Sequence, residues 1–118
     1  MITVSKAREL ALALPEVEEK SHFNQPDFRV NGKIFAVLHA ERNEIMVKLS
    51  IIDQSVFCAI DKNVIYPVPG GWGMKGATLI NLKKVRRGIF MDALITAWKT
   101  TAPAKLVAKY YPGADPSF

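Results

Sequence analysis

The chain has one cysteine, Cys58, and two histidines, His22 and His39, among 118 residues. A lone thiol excludes an intrachain disulfide framework and a multi-cysteine metal site. The two histidines have no second histidine or cysteine at ligand spacing, so no zinc pattern forms. Long apolar runs are missing too: Ile34-Phe35-Ala36-Val37-Leu38 is strand-sized, far short of the roughly 20 residues a bilayer span needs. No basic segment followed by an apolar core opens the sequence, and none of the glycine-flanked serine or H-E-x-x-H motifs of hydrolases occurs. No repeat, low-complexity tract or linker interrupts it. These absences predict one domain over residues 1–118, cytoplasmic, with no membrane partner, no metal, no cofactor and no catalytic residues. The protein is not expected to be an enzyme.

What is present describes a globular domain with lopsided charge. Hydrophobic residues make up 49% and charged residues 23%, which excludes a disordered or fibrous class. The formal charge is +5, but residues 1–74 carry 8 basic and 9 acidic side chains, whereas residues 75–118 carry 8 and 2. The cationic excess therefore lies in the last third, and a basic surface attracts polyanions without regard to sequence.

Hydrophobic periodicity divides the chain into elements. Thr3 suits an N-cap, and Val4, Ala7, Leu10, Ala11 and Leu14 follow at helical spacing until Pro15. Glu16, Glu18 and Glu19 then form an acidic cluster; neighbours on a strand alternate faces, so these read as solvated surface. From Val17 to Leu49 the pattern is short strands, with Asn31-Gly32 as a two-residue hairpin signal and Glu41-Arg42-Asn43-Glu44 as the next turn. In the strand after that turn, Ile45, Val47 and Leu49 share the packed face while Met46 and Lys48 share the other. Arg29, Lys33 and Lys48 are candidates for the exposed face of the meander. Ser50 to Ile60 reads as a helix from the repeat of Ile52, Val56, Phe57 and Ile60, with Asp53 suited to its first turn and Cys58 read as a small buried hydrophobe. Val64-Ile65-Tyr66 and Ala77 to Leu82 are strands. The last third is helical, with Ile89, Phe90, Ala93, Leu94, Ala97 and Trp98 as its stripe. A short final helix opened by Pro103 turns Leu106, Val107 and Tyr110 inward, and the tail beyond Gly113 reads as mobile.

The stretch with the most chemistry is Tyr66-Pro67-Val68-Pro69-Gly70-Gly71-Trp72-Gly73-Met74-Lys75-Gly76. It contains a literal G-x-G-x-x-G, but a dinucleotide site requires that motif to open a helix, and here a strand follows. A kinase-type glycine loop does lie between antiparallel strands, yet 118 residues leave no room for a second lobe. The loop instead displays Trp72 and Lys75 on a flexible backbone. Two readings of Trp72 stay open: it stacks or wedges against a partner, or it folds back on the sheet as a lid. Lys83, Lys84, Arg86 and Arg87 precede and begin the long helix, where cations oppose the helix dipole; they either meet phosphates or are simply solvated.

Three blocks carry a family resemblance: Ala11-Leu12-Ala13-Leu14-Pro15-Glu16-Val17-Glu18-Glu19 with His22-Phe23, Pro26-Asp27-Phe28-Arg29-Val30-Asn31-Gly32-Lys33-Ile34-Phe35-Ala36, and Tyr66-Pro67-Val68-Pro69-Gly70-Gly71-Trp72-Gly73. Over most of its length the chain resembles the MmcQ/YjbR family of small bacterial proteins. That resemblance implies an α+β fold like that of CyaY and frataxin, an antiparallel sheet with helices packed on one face, and a DNA-binding role through two wing-like hairpins. One wing would be the Asn31-Gly32 turn with Arg29 and Lys33, the other the Gly70 to Gly76 loop with Trp72 and Lys75. The iron-binding acidic ridge of frataxin-like proteins has no counterpart here, because the glutamates form no long acidic helix face.

The leading expectation is thus a small regulatory DNA-binding protein. It would contact the phosphate backbone of double-stranded DNA, weakly and largely without sequence preference, through Arg29, Lys33, Trp72, Lys75, Lys83, Lys84 and Arg86. The alternative is a protein-protein interaction module using the Trp72 loop, with no nucleic-acid role. Either would be a monomer or a homodimer.

Overall fold

The computed structural model describes residues 1–22 and 24–113; the tail beyond, read from sequence as mobile, lies outside the described residues. Helix α1 (Val4–Leu12) starts where Thr3 accepts a hydrogen bond from the Lys6 amide at 3.0 Å. Six strands follow, interrupted by helices: β1 (Val17–His22), β2 (Gln25–Val30), β3 (Lys33–His39), β4 (Glu44–Lys48), α2 (Ile51–Ile60), β5 (Ile65–Pro67), the single turn α3 (Gly71–Met74), β6 (Ala77–Asn81), α4 (Arg87–Thr101) and α5 (Ala104–Tyr110). They form one antiparallel sheet in the order β1-β2-β3-β4-β6-β5. This is the α+β architecture expected from the sequence.

Turn chemistry sets the strand register. Asn31 and Gly32 both take positive φ, 52° and 76°, the combination a two-residue hairpin between right-twisted strands requires. Asn43, at φ 53°, closes the short 3-10 turn Ala40–Arg42 that leads into β4. A bulge between Phe28 and Arg29 leaves Phe35 as an extra residue on β3. The alternation restarts there: Phe35 and Ala36 are both fully buried, and Ile34 and Val37 both fall on the opposite face, beside Arg29 and Asp27.

One face of the sheet carries the core. Phe28, Val30, Ala36, Leu38, Ile45, Val47, Ile65 and Ile80 meet Ala7 and Ala11 of α1 and the stripe Phe90, Ala93, Leu94, Ala97 and Trp98 of α4, all fully or nearly fully buried. Trp98 sits at the seam: its ring meets Tyr111 edge-on at 5.4 Å and its Nε1 donates to the Pro15 carbonyl at 2.9 Å. In α5, Leu106 and Val107 pack as expected, but Tyr110 stays 37% exposed with its hydroxyl donating to Glu16. Glu19 reaches back to Arg8, consistent with neighbouring glutamates on β1 serving separate faces.

Helix α2 departs from the sequence reading in a telling way. Of the residues that mark its periodicity, Ile52, Val56 and Ile60 face solvent at 75%, 58% and 53% exposure, and only Phe57 packs against the core. Its one buried residue is polar, Gln54. Cys58 is half-buried rather than enclosed, and burial pushes its thiol above the ordinary range, which leaves it a poor nucleophile. No helix among the described residues is long and apolar enough to cross a membrane.

Candidate functional site

Among the described residues, the second face of the sheet lacks the cover that α1 and α4 give the first, and what it displays is fixed by cross-strand pairing. Val37 pairs with Met46 and Met46 with Leu79; Lys48 pairs with Ala77, and Glu44 with Asn81. Ile34, Val37, Met46 and Ala77 form an apolar floor, and Val68 and Trp72 close one side of a cleft of about 320 Å³ that Gln25, His39 and Lys48 also line.

Trp72 resolves the choice between display and lid. Its side chain borders that cleft, yet the residue is 70% exposed, and Met74 is 78% exposed. Lys75 Nζ stands 6.0 Å from the centre of the Trp72 ring, at the outer limit of a cation–π contact. The aromatic group and the cation are therefore presented together at the rim.

The loop itself is held from beneath. The strand expected after the glycine motif is present as β6, and the motif contains one feature that reading did not foresee, the helical turn α3. Two of its glycines are there for clearance. A Cβ on Gly73 would lie 1.8 Å from the Val68 carbonyl oxygen, and one on Gly76, at φ +107°, would lie 1.9 Å from that of Leu49. Gly71 has open space around it. Gln54 Nε2 donates to the carbonyls of Gly73 (2.9 Å) and Ala77 (3.1 Å) and to Thr78 Oγ1 (3.1 Å), while Thr78 donates to the Gly76 carbonyl at 2.9 Å. This buried network clamps α3 to α2 and β6. The sequence reading missed Gln54, and the only available signal was a polar residue amid the apolar positions of α2.

The cations expected to act together divide into two groups. Arg29, Lys33 and Lys48 line one cleft with Gly32, Ile34, Thr100 and Thr101; Lys48 and Ile34 continue into the cleft bordered by Trp72. The Asn31-Gly32 turn, the end of β4 and the Trp72 loop thus share one end of the sheet. Arg29 contributes little free charge there, because its guanidinium grips the buried carboxylate of Asp27 through two hydrogen bonds, 2.9 and 3.2 Å. Among the described residues, Lys33, Lys48 and Lys75 have no carboxylate within ion-pair distance. Lys83, Lys84 and Arg86 follow Asn81, which pairs with Glu44, and so lie at the far end of β6 from Ala77 and Lys48. There Lys84 and Arg86 border a separate cleft with Asp61, Val64 and Ile89.

At that far end the open face is polar. The Tyr66 hydroxyl donates to Glu44, whose other oxygen takes Arg42 at 3.3 Å. Burial and then this hydrogen bond push the phenol up to about 12. His39 lies beside this group, with its Nδ1 buried and lacking a hydrogen-bond partner among the described residues. Burial, reinforced by the Arg42 charge and opposed by Glu44, holds the imidazole below 6.5. A histidine with a depressed folded pKa takes up its proton first in the unfolded chain, so stability present above the unfolded value is lost as pH falls through it. Urea midpoints are therefore expected to decline between about pH 7 and 5. His39→Gln should flatten that decline, and an unchanged profile would assign it to other groups.

Comparison with known proteins agrees with this geometry at the level of fold. The described chain resembles the crystal structure of the Deinococcus radiodurans protein DR2400, described by its domain as DUF419, with a TM-score of 0.70 at 18% identity over 93% of this chain and 81% of that one. No curated protein matches. The sequence matches the YjbR family across residues 12–100, a span that takes in the sheet, the Trp72 loop and most of α4. The chain belongs to the YjbR family.

Proposed function

We infer that the Lys48 end of the sheet binds double-stranded DNA through phosphate contacts. One observation carries this reading: Lys33, Lys48 and Trp72 line two clefts that share Ile34 and Lys48, and Lys75 stands beside the Trp72 ring. The Asn31-Gly32 turn lies between β2 and β3 and the other loop joins β5 to β6, three strand positions away in the sheet order. That separation is about 14 Å at the spacing of neighbouring strands. It is comparable to the roughly 12 Å width of a major groove, so the two turns can straddle one with their lysines toward the flanking phosphates. The exposed Trp72 supplies a stacking or wedging surface between them. Lys83, Lys84 and Arg86, at the other end of β6, lie outside this interface.

Fluorescence anisotropy of a labelled duplex across a salt series tests the reading. Three phosphate contacts give a slope of about −2.7 in log K against log salt, so affinity should fall roughly 40-fold between 50 and 200 mM salt. Lys75→Ala should make the slope shallower by about 0.9, whereas Lys83→Ala should leave it unchanged. Absence of binding at low salt, or equal effects of the two substitutions, would exclude the interface.

A second reading rests on the 70% exposure of Trp72, an aromatic side chain presented on a loop. There the loop anchors a protein, Trp72→Ala abolishes capture of that partner, and the lysine substitutions have little effect.

A further inference from the structure

Half of the exposed large apolar side chains among the described residues lie on one helix. Among the described residues, Ile51, Ile52, Val56 and Ile60 of α2 and Met74 of the adjoining α3 turn are 63%, 75%, 58%, 53% and 78% exposed. Ile52, Val56 and Ile60 stand four residues apart and so form one ridge along the outer side of α2, with the exposed Ser55 and Ala59 beside it. Leaving such a ridge in water is unfavourable, and small neighbours let another helix approach closely.

We propose that this ridge is the contact surface of a symmetric homodimer, α2 packing antiparallel against α2 of a second copy. Two observations select a second copy as the occupant. The first is symmetry. An isologous interface must be self-complementary, and the ridge reads isoleucine-valine-isoleucine in both directions: with Val56 on the two-fold axis, Ile52 of each copy meets Ile60 of the other. The second is charge. Residues 50–61 hold Asp53 and Asp61 and no lysine or arginine, so two copies of a chain with net charge +5 can meet here without bringing their cationic surfaces together. The aspartates on the helix itself disfavour an anionic lipid surface.

The edges of the sheet offer no competing surface. Strand β5 is three residues long and ends in Pro67, and β1 places Glu18 and Lys20 in solvent, which are devices that block strand-to-strand pairing. The dimer does not depend on the nucleic-acid reading, and the two respond oppositely to salt. Screening weakens phosphate contacts but relieves repulsion between two cationic chains.

Sedimentation equilibrium on the intact chain between about 5 µM and 1 mM tests the proposal. The wild type is expected to move from monomer to dimer with a dissociation constant of about 10–100 µM, unchanged or tighter in high salt. Val56→Asp sets two carboxylates face to face on the axis and should weaken association at least about tenfold. Because Val56 is exposed, the near-ultraviolet signal of buried Trp98 should be kept. Independently, Val56→Cys in a Cys58→Ser background should form an intermolecular disulfide under mild oxidation, since residues on the axis meet their own copies. A wild type that stays monomeric at 1 mM overturns the proposal, as does a dimer that tolerates Val56→Asp and does not crosslink through Cys at position 56.

Discussion

Gly76→Ala should lower stability by about 3–5 kcal/mol, and Gly73→Ala by about 2–4 kcal/mol. In both cases the added methyl group meets a backbone carbonyl oxygen, that of Leu49 at 1.9 Å or that of Val68 at 1.8 Å, and backbone cannot rotate aside as a side chain can. Gly76 carries the further penalty of a left-handed conformation, φ +107°, which alanine tolerates poorly. For a chain of this size the expected fall in melting temperature is roughly 10–20 °C. Gly71→Ala is the control. Its Cβ would meet nothing within 4 Å and it begins the α3 turn, so it should be neutral or slightly stabilising. Thermal unfolding by circular dichroism separates the three. Equal melting temperatures would mean that the glycine motif serves flexibility rather than close packing.

Gln54→Leu is the second substitution with a large expected effect, about 2–4 kcal/mol of lost stability, because it keeps the apolar bulk and leaves the carbonyls of Gly73 and Ala77 without this donor. Gln54→Glu should be worse at neutral pH. A carboxylate only accepts hydrogen bonds, and it would face the two carbonyl oxygens and the Thr78 hydroxyl oxygen. Its loss should shrink in acid, as protonation restores a donor. Urea unfolding at pH 7 and pH 5 measures both changes. If the clamp sets the pose of the Trp72 loop, acrylamide should reach Trp72 more readily in Gln54→Leu while Trp98, fully buried, stays protected. Stability equal to that of the wild type would remove the clamp from the account of the site.

Much of the architecture could be read from residue patterns. The Asn31-Gly32 turn, the alternation of Ile45, Met46, Val47 and Lys48, the α4 stripe ending in Trp98 and the strand after the glycine motif all follow from local chemistry, because turn type and side-chain period depend on neighbours in sequence. The same logic failed on α2. A repeat of three and four residues identifies a helix, but it does not say which side meets the core. Ile52, Val56 and Ile60 mark the outer side, and the inner side is marked by Gln54, whose acceptors are 19 to 24 residues further along the chain.

The candidate interface divides along the same line. Sequence alone determined that Trp72 and Lys75 sit on a glycine-rich loop between two strands, and that positive charge is concentrated after residue 74. Only the tertiary structure decided which cations lie together. Strand pairing brings Lys33 and Lys48, which precede the basic segment, to the end of the sheet where the Trp72 loop lies. It carries Lys83, Lys84 and Arg86, close to that loop in sequence, to the opposite end, because an antiparallel strand of five residues moves the chain about 17 Å before it turns.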